Sequence, residues 1–145
     1  MGLNTGRVQV RGTVVLITGG AQGIGAATAQ QCLADGATVV VADIRGDAAG
    51  DLATSLGDDA HAVQLDVTDE HAWSRVVAGV ERDIGPIGAL VNNAGVMTYG
   101  SIEDTDVAEM RRVLDVDLVG TFLGMRAVIP VMKSRRAGSI VNLSS

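Results

Sequence analysis

Apolar residues fall along this chain in two alternating textures. Short, nearly unbroken runs rich in β-branched residues occupy 13–18 (TVVLIT), 38–43 (TVVVAD), 61–66 (HAVQLD), 89–92 (ALVN) and 139–143 (SIVNL). Between them lie stretches with apolar residues every three or four positions: 23–35, 47–56, from a cap at Thr68 or Asp69 to about 83, and 106–133. The first texture predicts strands covered on both faces, the second amphipathic helices. In the first helix Ile24, Ala29, Cys32 and Leu33 share the predicted inward face, and Gly36 stops it. Gly57 stops the second, and the third turns Trp73, Val76, Val77 and Val80 inward. Strand and helix alternate five and four times, which predicts a doubly wound α/β fold with a parallel sheet. No repeat or linker interrupts it, so residues 9–145 read as one domain behind a loose tail at 1–8.

Composition narrows the picture. Hydrophobic residues make up 47% of the chain and aromatics 2%, so the predicted core is aliphatic. The net charge of -6 argues against a nucleic-acid or anionic-membrane partner, either of which calls for a basic patch. A single cysteine, Cys32, excludes an internal disulfide, reads as a small buried hydrophobe and suits a reducing, cytoplasmic setting. With His61 and His71 it makes no metal set. The first residues show no apolar core of a signal peptide, and Gly6 stands where a myristoylation signal needs Ser or Thr. The apolar stretch 113–132 has membrane-spanning length but carries Asp115, Asp117 and Arg126, so it reads as a buried helix. Met97, Met110, Met125 and Met132 read as core or interface filler, and Arg135-Arg136 as solvated loop charge.

Four polar or glycine-rich motifs sit at predicted strand C-termini, where open α/β sheets bind ligands. The first, Thr18-Gly19-Gly20-Ala21-Gln22-Gly23-Ile24-Gly25, joins the first strand to the first helix. Glycines there allow a tight turn and a close backbone approach to a pyrophosphate, and the helix N-terminus offers unpaired amides and a positive dipole end. The same glycines would also serve a plain strand-to-helix turn. Asp43, followed by Ile44, ends the second strand, where an acid accepts hydrogen bonds from adenosine ribose hydroxyls and repels a 2′-phosphate. Arg45 softens that repulsion, and NAD is favoured over NADP. Asp66-Val67 ends the third strand, a position at which Asp also caps helices. Asn92-Asn93-Ala94-Gly95 ends the fourth; its amides can tie strand ends together while Ala94 and Gly95 let a ligand lie against the backbone.

Together these residues resemble the short-chain dehydrogenase/reductase family, classical type. The glycine turn matches that family's T-G-x-x-x-G-x-G, Asn92–Gly95 its N-N-A-G, Asp66-Val67 its adenine-contacting pair, and Gly138-Ser-Ile-Val-Asn-Leu-Ser-Ser145 the fifth-strand segment ending in a catalytic serine. Asp43-Ile44 and the Ser101-Ile-Glu-Asp104 run are most similar to bacterial NAD-dependent hydroxysteroid dehydrogenases. The resemblance implies a Rossmann-type sheet and hydride transfer between a nicotinamide and an alcohol or ketone. It implies that Gly19, Gln22, Gly23, Ile24 and Gly25 cradle the pyrophosphate. Asp43 and Ile44 would then flank the ribose, Asp66 and Val67 the adenine, and Asn93, Ala94 and Gly95 the path to the nicotinamide. Ser145 would orient the substrate oxygen.

The resemblance also has gaps. The family's Tyr-x-x-x-Lys should follow the serine; the only tyrosine here, Tyr99, is followed by Gly, Ser, Ile and Glu103. These 145 residues are therefore expected to be an incomplete domain, inactive alone, without the family's last strands. The fifth strand is then an open edge, Val119, Phe122, Leu123 and Met132 are exposed, and the isolated chain self-associates or aggregates. The full-length form is expected to be a homo-oligomer. A non-catalytic nucleotide-binding or interaction module is the alternative. Asp117 stands where the family carries an asparagine of its proton relay, and Gly88 where many relatives carry Asp.

Overall fold

A computed structural model describes residues 10–144; the predicted tail at 1–8 and Ser145 lie outside them. The order is β1 (Val14–Thr18), α1 (Gly23–Ala34), β2 (Thr38–Asp43), α2 (Gly46–Leu56), β3 (Ala60–Gln64), α3 (Glu70–Asp83), β4 (Ile87–Asn92), α4 (Val107–Val113), a wide-turn segment Leu114–Gly120, α5 (Thr121–Arg135) and β5 (Ser139–Asn142). The five strands form one parallel sheet in the order β3-β2-β1-β4-β5.

Side chains alternate across the sheet, and two cores follow from that. Val14, Leu16, Val40 and Leu90 point to the side where Trp73, Val77 and Val80 of α3 meet Leu123, Val128 and Met132 of α5. Val15, Ile17, Val39 and Val41 point to the other, against Ala29 of α1 and Ala49 of α2. Small residues on α1 and α2 let those helices lie close; the larger ones on α3 and α5 fill a thicker layer. Trp73 is 1% exposed, and its indole Nε1–H donates to the Val67 carbonyl at 2.9 Å, so the one polar atom of the ring is satisfied.

Several elements depart from the sequence expectation. The first helix was expected to turn Ile24 inward, but Ile24 is 67% exposed. It lines a cleft at the C-terminal ends of the strands instead of the core. The third strand ends at Gln64 rather than 66, because β2 has no residue left to pair after Asp43. The fourth begins at Ile87. There the pairing with β1 jumps from Val14↔Ile87 to Val15↔Ala89, so Gly88 is the extra residue of a bulge. A side chain at that position would displace Thr13, its Cβ 2.5 Å from Thr13 Cγ2.

The long helix expected over 106–133 is instead three joined segments with a π-type middle. Its last residue, Arg135, is no free loop charge. Its guanidinium grips Glu81 through Nη1 (2.7 Å) and Nη2 (3.1 Å) and donates to the Ile87 carbonyl at 2.9 Å, joining α5, α3 and β4. Of the four apolar side chains expected on the surface, Val119 and Phe122 are exposed, whereas Leu123 and Met132 are buried against the sheet. Cys32 is only half-buried; burial, then the charge of Asp35, pushes its thiol above the usual range. No helix among the described residues is long and apolar enough to cross a membrane.

Asp69, one of the two expected caps, closes the N-terminus of α3 by accepting from the amides of His71 (2.8 Å) and Ala72 (3.0 Å). The Ala72 amide foremost, with those of His71 and the charge of Arg75, holds its carboxyl below the usual range. A carboxyl lowered by folding contributes stability above its unfolded value, and that contribution disappears as pH falls through the folded value. Asp69→Asn keeps a capping oxygen that does not titrate. The variant is expected to lose less stability than the parent below about pH 4, as read from thermal melts along an acid series.

Candidate functional site

The C-terminal ends of β1 to β4 open onto one cleft of about 930 Å³. The glycine turn contributes Gly19, Gln22, Gly23 and Ile24; the end of β2 Asp43 and Ile44; the loop after β3 Asp66 and Val67; and the loop after β4 Asn93, Ala94 and Gly95. Gly25 and Asp117 are not on its wall, and Ser145 lies outside the described residues.

The turn is built for close approach. Gly19 has φ +59°, and a Cβ there would stand 2.8 Å from Ala94 Cα. Gly25 lies beneath it: a Cβ there would be 2.4 Å from the Gly19 carbonyl oxygen and 2.6 Å from Asn93 Nδ2. Helix α1 has no side-chain cap at Gln22 and no acid in its first turn. By contrast α3 and α4 are capped by Asp69 and Asp106. The first amides of α1 thus face the cleft without a side-chain acceptor, the arrangement in which a helix start receives an anion.

Asp43 is 6% exposed. Its Oδ2 accepts from the Ala21 amide at 3.1 Å and its Oδ1 from the Arg45 amide at 3.0 Å, with Arg45 Nε at 3.5 Å. The acid therefore braces the glycine turn against the end of β2 while lining the cleft. Asp66 is exposed. Its Oδ1 accepts from both the amide (2.9 Å) and the hydroxyl (2.7 Å) of Thr68, while Oδ2 takes part in neither bond. Here the capping and ligand-facing readings coexist in one carboxylate.

The two asparagines work in opposite directions. Asn92 Nδ2 donates to Asn142 Oδ1 at 2.9 Å, tying β4 to β5. Asn93 Nδ2 donates to the carbonyls of Thr18 and Gly19, each at 3.0 Å, tying β4 to the glycine turn. Sequence reading treated Thr18 only as the first letter of a motif, yet it is the hub of this joint. Its hydroxyl accepts from the amides of Asn93 and Ala94, both at 3.0 Å, and donates to the Val91 carbonyl at 3.4 Å.

Asp117 lies in the wide-turn segment and is exposed. Its Oδ1 accepts from the Val96 amide at 2.9 Å, and its own carbonyl accepts from Thr121 Oγ1 at 2.8 Å. The far wall of the cleft was missed entirely: Ala108, Arg111, Arg112 and Asp115 line it. Their spacing marks one face of a helix, and that periodicity was the available signal.

The residues present fit a dinucleotide. A cradle that a Cβ would fill faces an uncapped helix start, with carboxylates at one end and small residues at the other. The profile of a family described as short chain dehydrogenase matches residues 13–145. A trans-4-hydroxycyclohexanecarboxylate dehydrogenase from Sinomonas cyclohexanicum is 47% identical over 141 residues, covering 91% of this chain and 54% of that protein. A 3-alpha-(or 20-beta)-hydroxysteroid dehydrogenase from Mycobacterium tuberculosis (strain ATCC 25618 / H37Rv) is 44% identical over 134 residues, covering 92% and 52%. An NADP-dependent (R)-specific alcohol dehydrogenase from Lentilactobacillus kefiri is 39% identical over 140 residues, covering 94% and 56%. Among solved structures, a short-chain dehydrogenase from Streptomyces avermitilis superposes with a TM-score of 0.85 at 38% identity, over 92% of this chain and 49% of that one. The chain spans about half the length of the curated relatives it matches.

Proposed function

The chain belongs to the short-chain dehydrogenase family, and from that premise we propose that its cleft holds NAD as part of an alcohol or ketone oxidoreductase. The observation that carries this is the meeting of four separate motifs around one cleft: the glycine turn, Asp43, Asp66-Val67 and Asn93–Gly95. In this reading Gly19, Gln22, Gly23 and Ile24 line the pyrophosphate, with Gly25 beneath them. Asp43 and Ile44 flank the adenosine ribose, and Asp66 and Val67 the adenine. Asn93, Ala94 and Gly95 run toward the nicotinamide. A bound nicotinamide would supply or accept the hydride, and Ser145 would orient the substrate oxygen. The substrate is a small alcohol or ketone, and a hydroxysteroid is consistent with the relatives.

NAD is favoured over NADP because a 2′-phosphate would be pressed against the buried Asp43 carboxylate. Arg45 offsets part of that repulsion. The expected result is NADH binding about tenfold tighter than NADPH, a difference of roughly 1.4 kcal/mol. Trp73 is the single tryptophan, and its indole rests on the backbone of Val67, a cleft residue. Quenching of its fluorescence, or energy transfer to the reduced nicotinamide, reads both titrations. Equal affinities would remove the preference, and no binding of either cofactor would remove the function.

Tyr99 supports a second reading, that these 145 residues bind cofactor without catalysing. It is 88% exposed and no lysine follows at the fourth position. NADH is expected to bind while a panel of ketones gives no oxidation above background; sustained turnover would contradict this. The cytoplasm suits the lone cysteine. Homo-oligomerisation of the full-length form is supported by the apolar stripe of Leu114, Leu118 and Phe122, all exposed along the long helix.

A further inference from the structure

Asp117 is an exposed acid that caps no helix. Its carboxylate stands behind Gly95: a Cβ on Gly95 would lie 3.6 Å from Asp117 Oδ1 and 3.8 Å from Oδ2. Gly95 and Val96 line the cleft, and Val96 is the residue whose amide Asp117 holds. Only Oδ1 is used in that bond.

The sheet order says which end of a dinucleotide comes here. The glycine turn follows β1, at the centre of the sheet. Asp43 and Asp66 follow β2 and β3 on one side; Gly95 follows β4 on the other, and Asp117 reaches that stretch through the Val96 amide. With the pyrophosphate over β1 and adenosine toward β2 and β3, the nicotinamide is directed to the side of Asp117.

An oxidised nicotinamide ring carries one positive charge and the reduced ring none. A fixed carboxylate behind the Gly95–Val96 stretch of the wall therefore attracts one redox form and not the other across it. We propose that Asp117 biases the cleft toward NAD+ over NADH, and so favours loading for alcohol oxidation. This rests on the cofactor reading above. Arg111, Arg112 and Asp115 also face the cleft, but they act alike on the parent and on any variant at 117.

The test is the ratio of NADH to NAD+ dissociation constants, measured by Trp73 fluorescence at low salt on the parent chain, Asp117→Asn and Asp117→Ala. Asparagine retains an oxygen for the Val96 amide and removes only the charge. The ratio is expected to fall roughly threefold to tenfold in Asp117→Asn, by a similar factor in Asp117→Ala, and by less when compared at high salt. A ratio unchanged in Asp117→Asn, or one that moves only in Asp117→Ala, overturns the charge effect. If Asp117→Asn does not fold, Asp117→Ala is compared with the parent at low and high salt: a ratio that falls, and falls less at high salt, supports the proposal, and a ratio equal to the parent's overturns it. Failure of the parent to bind either form is a different result, and it takes down the cofactor reading itself.

Discussion

Thr18→Val is expected to cost the fold about 2–4 kcal/mol, a large share of the roughly 5–15 kcal/mol that holds a domain together. Valine has nearly the shape of threonine, so packing at this 1%-exposed site is kept. What disappears is an acceptor for two amides at once, those of Asn93 and Ala94, and the donor to Val91. A threonine hydroxyl offers one hydrogen and two lone pairs, and here all three are used. Both amides belong to partly buried residues, which sets the figure below the full penalty for two orphaned donors. Thr18→Ser restores the hydroxyl and is expected to recover most of the loss. Urea unfolding of the three chains measures it, and a valine variant as stable as the parent would show that water replaces the hydroxyl.

Gly25→Ala is expected to weaken NADH binding by about tenfold to a hundredfold, the equivalent of roughly 1.4–2.8 kcal/mol. The added methyl meets the Gly19 carbonyl, Asn93 Nδ2 and Gly20 Cα, all within 2.8 Å. Two of these three atoms are main chain, so no rotamer change relieves the overlap. The glycine turn must lift, taking with it the surface proposed to receive the pyrophosphate. Gly25 itself touches no ligand in this reading, so the effect would pass through the position of Gly19. A fluorescence titration of the alanine variant with NADH checks it, alongside a melt showing that the variant is folded; an unchanged dissociation constant would mean the turn has slack.

The inner strands β1, β2 and β4 were legible because burial on both faces writes them as unbroken apolar runs, and β2 was read to its ends. The edge strands β3 and β5 were read from β-branched and apolar residues although they are half-buried or exposed, against the expectation of cover on both faces. The start of β4 was not legible, since Gly88 is the extra residue of a bulge against β1, a strand more than 70 positions earlier in the chain, and a register shift between strands leaves no local pattern. In the long helix, Leu114, Leu118 and Phe122 keep a four-residue spacing through the π-type segment. A π-type turn and an α-type turn cannot be told apart at that resolution of pattern. The cleft's glycines, acids and asparagines stood out because each is costly or unusual at a strand end. The α4 wall did not, because nothing local tells Arg111 and Arg112 which loop they will face. Arg135 shows the same limit: its partners Glu81 and Ile87 are 54 and 48 positions away.

The joint at Thr18 has a consequence in time. The hydroxyl and the amide of Asn93 are 75 positions apart in the chain. At ordinary translation rates of about 5–20 residues per second, some 4–15 seconds separate their synthesis. During that interval β1 can pair with β2, but its other edge has no neighbour, and Gly19 has no Ala94 beneath it. The nascent chain thus carries an exposed sheet edge and an unsupported glycine turn until β4 arrives.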